Sequence, residues 1–325
     1  MAETILVTGG AGFIGSHVVD TLLEAGYSVA VVDDLHTGKR ENVNPAARFH
    51  LVDIRSAEAV EQVFAAERPA YVVHEAAWAD VRGSLADPAG YAGVNVLGTL
   101  NLLEAARRSG GSRDPVRKIV FASTGGAIYG DPAELPATES CPPAPLDAYG
   151  ASKLAAEGYF GVYRHNYGLD FCILRYGNVY GPRQDPLGEA GVVAIFTGQM
   201  LRGGTSGGSI PLVNGDGRQS RDFVYVGDVA RANLLALTAG SGIYNVGTGD
   251  PDGRQLHLAR AGRADGLRRA AAARAGQGRR GAGHLPGCWP RAARAGLDGR
   301  GVAGRGAGAH GGVFPGADVL EWLAD

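Results

Sequence analysis

The sequence predicts an α/β fold: a doubly wound, mostly parallel sheet with a smaller C-terminal cap. Three observations carry this expectation. Short apolar runs alternate with stretches of helical periodicity through the first 250 residues, as βαβ units require. A glycine-rich turn joins the first run to the first helical stretch. An acidic pair closes the second run.

The elements follow in order. Ile5, Leu6 and Val7 form a short strand that stops at a glycine cluster. Ile14, Val18, Val19, Leu22 and Leu23 then recur at helical spacing, and Gly26 ends that helix. Residues 29–32 read as a second strand, stopped by Asp33 and Asp34. Residues 49–52 are a third, followed by a helical pattern through Val60, Val63 and Phe64. Residues 71–73 and 119–121 are the fourth and fifth, with a helix over 94–106 between them, and 172–174 is a further strand. No internal repeat is visible.

Composition bounds the function. At roughly 150 residues per domain, 325 residues suggest two domains, or one domain with a cap. A chain 45% hydrophobic and 20% charged has the balance of a globular protein. A net charge of −2 offers no field for nucleic acid or an anionic membrane. No apolar run approaches the ~20 residues that span a bilayer. The N-terminus passes straight into a strand without a basic and apolar leader, so a cytoplasmic protein is expected. Cys141, Cys172 and Cys288 are too few and too scattered for a disulfide framework or a zinc site, and no metal is expected.

The first loop bears on the cofactor. Thr8-Gly9-Gly10-Ala11-Gly12-Phe13-Ile14-Gly15 places glycines at 9, 12 and 15 between strand and helix. Small residues there permit a tight turn, close approach of backbone to a pyrophosphate, and close helix packing. The helix N-terminus adds N–H donors and a positive dipole end. Asp33 ends the second strand 18 residues beyond Gly15. An acid there accepts hydrogen bonds from the ribose hydroxyls of NAD and repels the 2′-phosphate of NADP. A bare glycine motif is only a tight turn; strand, loop, helix, strand and acid in sequence predict NAD.

The second signal is Tyr149-Gly-Ala-Ser-Lys153. Alone, the pair reads equally as a surface tyrosine and a solvated lysine. Its spacing puts both side chains on one helix face, and the strand over 119–121 runs into Ser123-Thr124 just before it. A tyrosine base near neutral pH must lose about three units from an ordinary pKa of about 10. A neighbouring ammonium and a positive nicotinamide ring both favour the phenolate. A hydroxyl from Thr124 or Ser123 would share the substrate proton.

These residues carry a resemblance. Thr8–Gly15, Asp33, His74-Glu-Ala-Ala77, Asn95, Ser123-Thr124, Tyr149 with Lys153, and Arg175-Tyr-Gly-Asn-Val-Tyr-Gly-Pro182 resemble the extended short-chain dehydrogenase/reductases. Within them, the runs 121–130 and 178–196 are similar to the bacterial UDP-glucose (UDP-galactose) 4-epimerases. The resemblance covers roughly residues 4–250. It implies a Rossmann-like NAD-binding domain over 1–178 and a substrate-binding cap over 179–325.

It also implies roles. Gly9, Gly12, Phe13 and Ile14 match the lining of the NAD pyrophosphate. Asp33, Thr37 and Gly38 match the adenosine ribose region, and Asp53 and Ile54 the adenine. Ala76 and Ala77 match the wall beside the nicotinamide ribose, with Asn95 also on the cofactor side. Lys153 grips that ribose, and Tyr176 lies near the nicotinamide. Thr124, Tyr149 and Lys153 match the catalytic set. Ser123, Thr124, Asn178 and Arg221 match substrate contacts, the arginine suiting two phosphate oxygens of the sugar diphosphate. Relatives pair through a four-helix bundle, so a homodimer using the helices from Val94 and Tyr149 is expected.

Four residues have plainer readings than function. His74 closes a strand as a packing and hydrogen-bonding residue. Trp78 suits a rim, Cys172 a buried strand, and His17 a half-buried position on the first helix.

The resemblance implies an enzyme: 4-epimerisation of a UDP-hexose on bound NAD, through a transient 4-keto sugar. Nucleotide-sugar dehydratases of the same kind place acids just after the active-site threonine; this chain has Gly125-Gly126. Two alternatives stand beside it: another nucleotide-sugar epimerase, such as one for UDP-glucuronate, and a non-catalytic NAD-binding regulator.

Residues 251–316 break the pattern. They contain 17 Gly, 15 Ala and 12 Arg, and no Ser, Thr, Asn, Lys, Glu, Ile, Met or Tyr. Their few large apolar residues would cover little core, so irregular, weakly packed structure is expected. The composition is that of a GC-rich gene read out of frame, an account preferred here to a basic arm for a polyanion.

Overall fold

A computed structural model describes residues 2–109, 115–186, 193–195 and 221–249. The expectations for 251–316 and Cys288 lie outside the described residues.

The described residues include nine strands and eight α-helices, numbered in chain order. The strands are β1 (Thr4–Thr8), β2 (Ser28–Asp33), β3 (Arg48–Leu51), β4 (Tyr71–His74), β5 (Lys118–Thr124), β6 (Asp170–Tyr176), β7 (Asn178–Tyr180), β8 (Phe223–Tyr225) and β9 (Gly242–Val246). The helices are α1 (Phe13–Glu24), α2 (Ala57–Glu67), α3 (Val81–Ala86), α4 (Pro88–Ala92), α5 (Thr99–Ser109), α6 (Gly125–Ile128), α7 (Ala148–Tyr167) and α8 (Val226–Thr238).

Seven strands form one sheet in the order β3-β2-β1-β4-β5-β6-β9, and every pairing is parallel. The chain builds outward from β1 to β3, then returns to β4 and builds the other way. That reversal leaves a crevice beyond the strand ends between β1 and β4, where open α/β sheets bind ligands. The central strands β1, β4 and β5 are buried runs without alternation because both faces are covered. All seven residues of β5 are buried. One face packs Ile5, Val7 and Val31 against Val18 and Leu22 of α1 and Val229 and Leu237 of α8. The other packs Leu6, Val72 and Ile119 against Val63 of α2, Leu103 of α5 and Phe160 of α7.

Two departures from the sequence reading affect the site. Residues 226–246, which a division at 178 assigns to the cap, lie in the main sheet and its helix layer, because β9 pairs with β6 and α8 shares a core with α1. The short parallel pair β7–β8 forms a second, two-stranded sheet. The helix expected over 94–106 opens with a wide π turn, Gly93–Gly98, between α4 and α5. Such turns re-aim side chains without ending a helix.

Candidate active site

Backbone packing shapes the cofactor end of the crevice. Gly9 has φ +72°, and a Cβ on it would lie 2.6 Å from the Ala76 nitrogen, so only glycine lets the turn after β1 touch the segment after β4. Gly12 starts α1 without a side-chain cap, and a Cβ there would meet only the Gly9 carbonyl, at 3.1 Å. The first-turn N–H groups of α1, including those of half-buried Phe13 and Ile14, have no intrahelical acceptors. Gly15 serves the turn itself, since a Cβ would collide with the Gly9 carbonyl. Close packing of helix on sheet falls to Gly10, whose Cβ would sit 2.7 Å from Val31.

Asp33 closes β2 with one oxygen accepting from the Ala11 N–H (3.0 Å) and the other from the Leu35 N–H (2.8 Å). A carboxylate has about four acceptor positions, and these bonds use two of them. Burial raises its pKa, and these backbone donors act against that rise. Gly38 leaves room beside it, a Cβ there lying 2.8 Å from Asp33 Oδ1; neighbouring Thr37 is exposed. An uncapped helix start and an acid with spare acceptors fit the pyrophosphate and ribose of NAD.

Other cofactor-side residues sit as follows. Ile54 is buried. Arg55 donates to Asp53 Oδ2 from Nη2 (2.6 Å) and Nε (2.8 Å), with Nε also 3.0 Å from Oδ1, chiefly this bond lowering the Asp53 pKa. Ala76 and Ala77 are half-buried on the segment after β4. Asn95 lies in the π turn and spends its amide on protein. Its oxygen accepts from the Trp78 N–H, and its nitrogen donates to the Trp78 carbonyl and to Ser152 Oγ, all at 2.9 Å. It thereby fixes the segment after β4 to α7.

The reacting groups gather at the end of β5. Thr124 caps α6, its oxygen accepting from the Ala127 N–H at 3.3 Å. Asp147 caps α7 through the Gly150 N–H at 2.7 Å, which places half-buried Tyr149 in the first helical turn. A Cβ on Gly150 would lie 2.5 Å from the Ala127 carbonyl, so this turn of α7 packs directly on α6, beside Thr124. Lys153 follows one turn later and is 2% exposed. Its Nζ donates to the Ala122 carbonyl (2.8 Å) and lies 4.7 Å from the Phe121 ring centroid. Burial lowers its pKa to about 8, with Glu75 and Glu157 opposing the fall.

Ser123 points to the opposite face of β5, as strand alternation requires. Its hydroxyl donates to buried Glu157 at 2.6 Å. Sequence reasoning missed the ion pair behind it. Arg175 holds Glu157 through Nη2 (2.6 Å) and Nε (3.0 Å) and donates to the Tyr129 hydroxyl, which in turn donates to Asn245 Oδ1 of β9. An arginine inside the apolar β6 run was the available signal. Glu75 was missed as well. Tyr176 donates its hydroxyl proton to Glu75 Oε1 and accepts from Asn233 Nδ2 of α8, both at 2.7 Å. Burial pushes the Glu75 carboxyl up to about 7.

The substrate-side pair converges where β7 meets β8. Asn178 N–H donates to the Asp222 carbonyl at 2.9 Å, bringing half-buried Arg221 alongside. The Asp222 carboxylate anchors the turn after β9 through Thr248 and Gly249. Among the described residues, no group of His, Cys, Asp or Glu is arranged to hold a metal, and no helix is long and apolar enough to cross a membrane.

Residues 5–247 match the NAD dependent epimerase/dehydratase family. The chain belongs to this family. A UDP-glucose 4-epimerase of Mycolicibacterium smegmatis is 44% identical to this epimerase/dehydratase chain over 264 residues, covering 79% of it and 81% of the relative. Two solved structures are similar along most of both chains. The UDP-glucose 4-epimerase of Thermotoga maritima with UDP-glucose is 44% identical, has a TM-score of 0.79, and covers 89% of each chain. The UDP-glucose 4-epimerase of Thermus thermophilus with NAD is 48% identical, with a TM-score of 0.77, covering 89% of this chain and 90% of that one.

Proposed function

We propose that this family member interconverts UDP-glucose and UDP-galactose by 4-epimerisation on tightly held NAD. One observation carries the reading: Tyr149 and Lys153 stand in the first turns of α7 against the end of β5 at Thr124, which glycines rather than acids follow. The site can exchange a proton at a sugar hydroxyl and has no carboxylate at 125 or 126 for an elimination. The 4-epimerases of M. smegmatis, T. maritima and T. thermophilus are its supporting relatives.

Gly9, Gly12, Phe13 and Ile14 would hold the NAD pyrophosphate, Asp33, Thr37 and Gly38 its adenosine ribose, and Asp53 and Ile54 its adenine. Ala76, Ala77, Lys153 and Tyr176 would line the nicotinamide end. NAD supplies there a reversible acceptor for the hydride on C4 of the sugar. Tyr149, as phenolate, takes the 4-hydroxyl proton and returns it once the 4-keto sugar has turned over. The Lys153 ammonium and the positive N-terminal end of α7 favour that phenolate. Thr124 holds the 4-oxygen by a hydrogen bond. Asn178 and Arg221 hold the diphosphate. Electrons leave and return to the same carbon, so no second redox substrate is consumed.

The reading includes a homodimer in the cytoplasm. Leu97 is 58% exposed on the π turn, and Tyr159 and Val162 are exposed on α7. Covering such apolar side chains with their symmetric copies builds a four-helix bundle. Light scattering at micromolar protein would give twice the chain mass.

The deciding experiment incubates purified protein with UDP-galactose, without added NAD, and follows UDP-glucose. Interconversion supports the proposal. Turnover of only UDP-glucuronate would move the activity to an acidic sugar, and NAD binding without any turnover would favour the regulator.

A further inference from the structure

The segments that follow β2 and β4 meet across the carboxyl end of β1. β1 lies between those two strands in the sheet, and its end runs into the glycine turn. His36 stands just beyond β2, which ends at Asp33, and Trp78 just beyond β4, which ends at His74. Their rings are stacked, with centroids 5.0 Å apart and planes 23° from parallel. Aromatic pairs at such a separation attract beyond the area they bury.

The two ends of this bridge differ. Trp78 is anchored from several sides. Its N–H donates to Asn95 Oδ1 and its carbonyl accepts from Asn95 Nδ2, both at 2.9 Å. Tyr91 of α4 meets the indole edge-on at 5.5 Å, and a Cβ on Gly90 would lie 2.7 Å from indole Cζ3. Arg55, from the segment after β3, holds its guanidinium carbon 5.8 Å from the ring centroid. His36 is the exposed end. Its backbone is shaped by turns, the Asp34 carboxylate accepting from the His36 N–H at 2.9 Å beside Leu35 at φ +59°. The Lys39 N–H then donates to the Ala11 carbonyl at 2.9 Å, which ties this segment to the glycine turn. Among the described residues the His36 imidazole makes no hydrogen bond, and the stack is its ring contact.

The groups that fit the pyrophosphate and adenosine ribose of NAD, the first turn of α1 and Asp33, belong to the turn and the strand end that this bridge spans. We infer that the His36–Trp78 stack is a strap over the adenosine end of the cofactor crevice, which opens at His36 to pass the dinucleotide and closes to retain it. Trp78 is the fixed post and His36 the movable end. The strap rests on the NAD reading but not on the identity of the sugar, and its test needs no sugar.

Two rates decide it, both followed with isotope-labelled NAD: release from the loaded protein into excess unlabelled NAD, and uptake by the apoprotein. A ring that only touched the nucleotide would act mainly on release, as most interface changes do. A strap must open for passage in either direction. His36→Ala, at an exposed position, should therefore speed release and uptake together, each by about two- to tenfold, the fold-change that one aromatic pair allows. His36→Phe keeps a flat ring and should restore the parent rates. In a Trp78→Leu protein the stack is already lost, so adding His36→Ala should change neither rate further. Parent rates in His36→Ala, faster release with unchanged uptake, or no rescue by His36→Phe overturns the strap while leaving the NAD reading intact. A protein that takes up no NAD at all overturns both.

Discussion

Glu157 and Arg175 form a fully buried, two-nitrogen ion pair, 2.6 and 3.0 Å long, between α7 and β6. Glu157 sits one turn beyond Lys153, on the same face of α7. Glu157→Gln keeps the shape but leaves the guanidinium without its counter-charge. Removing one partner of a buried pair costs about 3–5 kcal/mol. The variant is expected to unfold at markedly lower urea concentration, and a midpoint equal to that of the parent would count against this assignment.

Tyr149→Phe deletes one oxygen from a half-buried side chain and leaves the cofactor crevice intact. Turnover of UDP-galactose should fall by roughly 10²–10⁴-fold, the range for a positioned acid–base group. NAD released on denaturation should stay near one equivalent per chain. Loss of the NAD along with the turnover would show that the phenol serves binding instead.

Thr124 and Ser123 are not interchangeable, although their adjacency in the sequence suggests that one hydroxyl might stand in for the other. Ser123 points away from Thr124 by strand alternation and spends its hydroxyl on Glu157 of α7. Thr124→Ala should therefore lower kcat with no rescue from Ser123, while Thr124→Ser keeps a hydroxyl and most of the rate. Ser123→Ala should cost stability, about 1.5–3 kcal/mol for a lost hydrogen bond to a charged group, with kcat much less affected. Equal kcat losses in both alanine variants would contradict the alternation.

Motifs set by local backbone geometry were legible in the sequence. The Gly9-to-Gly15 turn, Asp33 and the Tyr149–Lys153 spacing each depend on residues within one strand, turn or helix. Strand alternation even held the orientation of Ser123, once the end of β5 was known. Long-range pairing was not legible. Tyr176 meets Glu75 across 101 positions and Tyr129 meets Asn245 across 116, and nothing local marks either partner. The same limit placed 226–246 in the cap, because only strand order shows β9 beside β6. Asn95 reads as a ligand contact until the π turn aims it at Trp78 and Ser152.

Asp33 fixes cofactor choice through charge as well as hydrogen bonding. Asp33→Asn keeps one oxygen for a backbone N–H but sets an amide where a second acceptor stood. NAD affinity should fall about 10–100-fold, the equivalent of losing a charge-assisted bond. NADP, no longer facing a buried carboxylate, should lose less or gain. Titration of the apoprotein with each nucleotide reads both, and an unchanged NAD-to-NADP ratio would separate Asp33 from discrimination.

Activity should decline on the alkaline side from about pH 8. Burial brings Lys153 down to about that value, so its ammonium is intact below pH 8 and lost above it. The phenolate of Tyr149 then loses its neighbouring positive charge, and the proton it must return is held in the wrong place. The expected kcat/KM for UDP-galactose is level up to about pH 8 and falls roughly tenfold per unit well beyond it. Lys153→Arg supplies a cation that does not deprotonate in this range. Its rate should be lower throughout, because a planar guanidinium does not reproduce the bond to the Ala122 carbonyl. Its alkaline limb should nevertheless vanish below pH 10. A parallel fall in both proteins would assign the limb to another group.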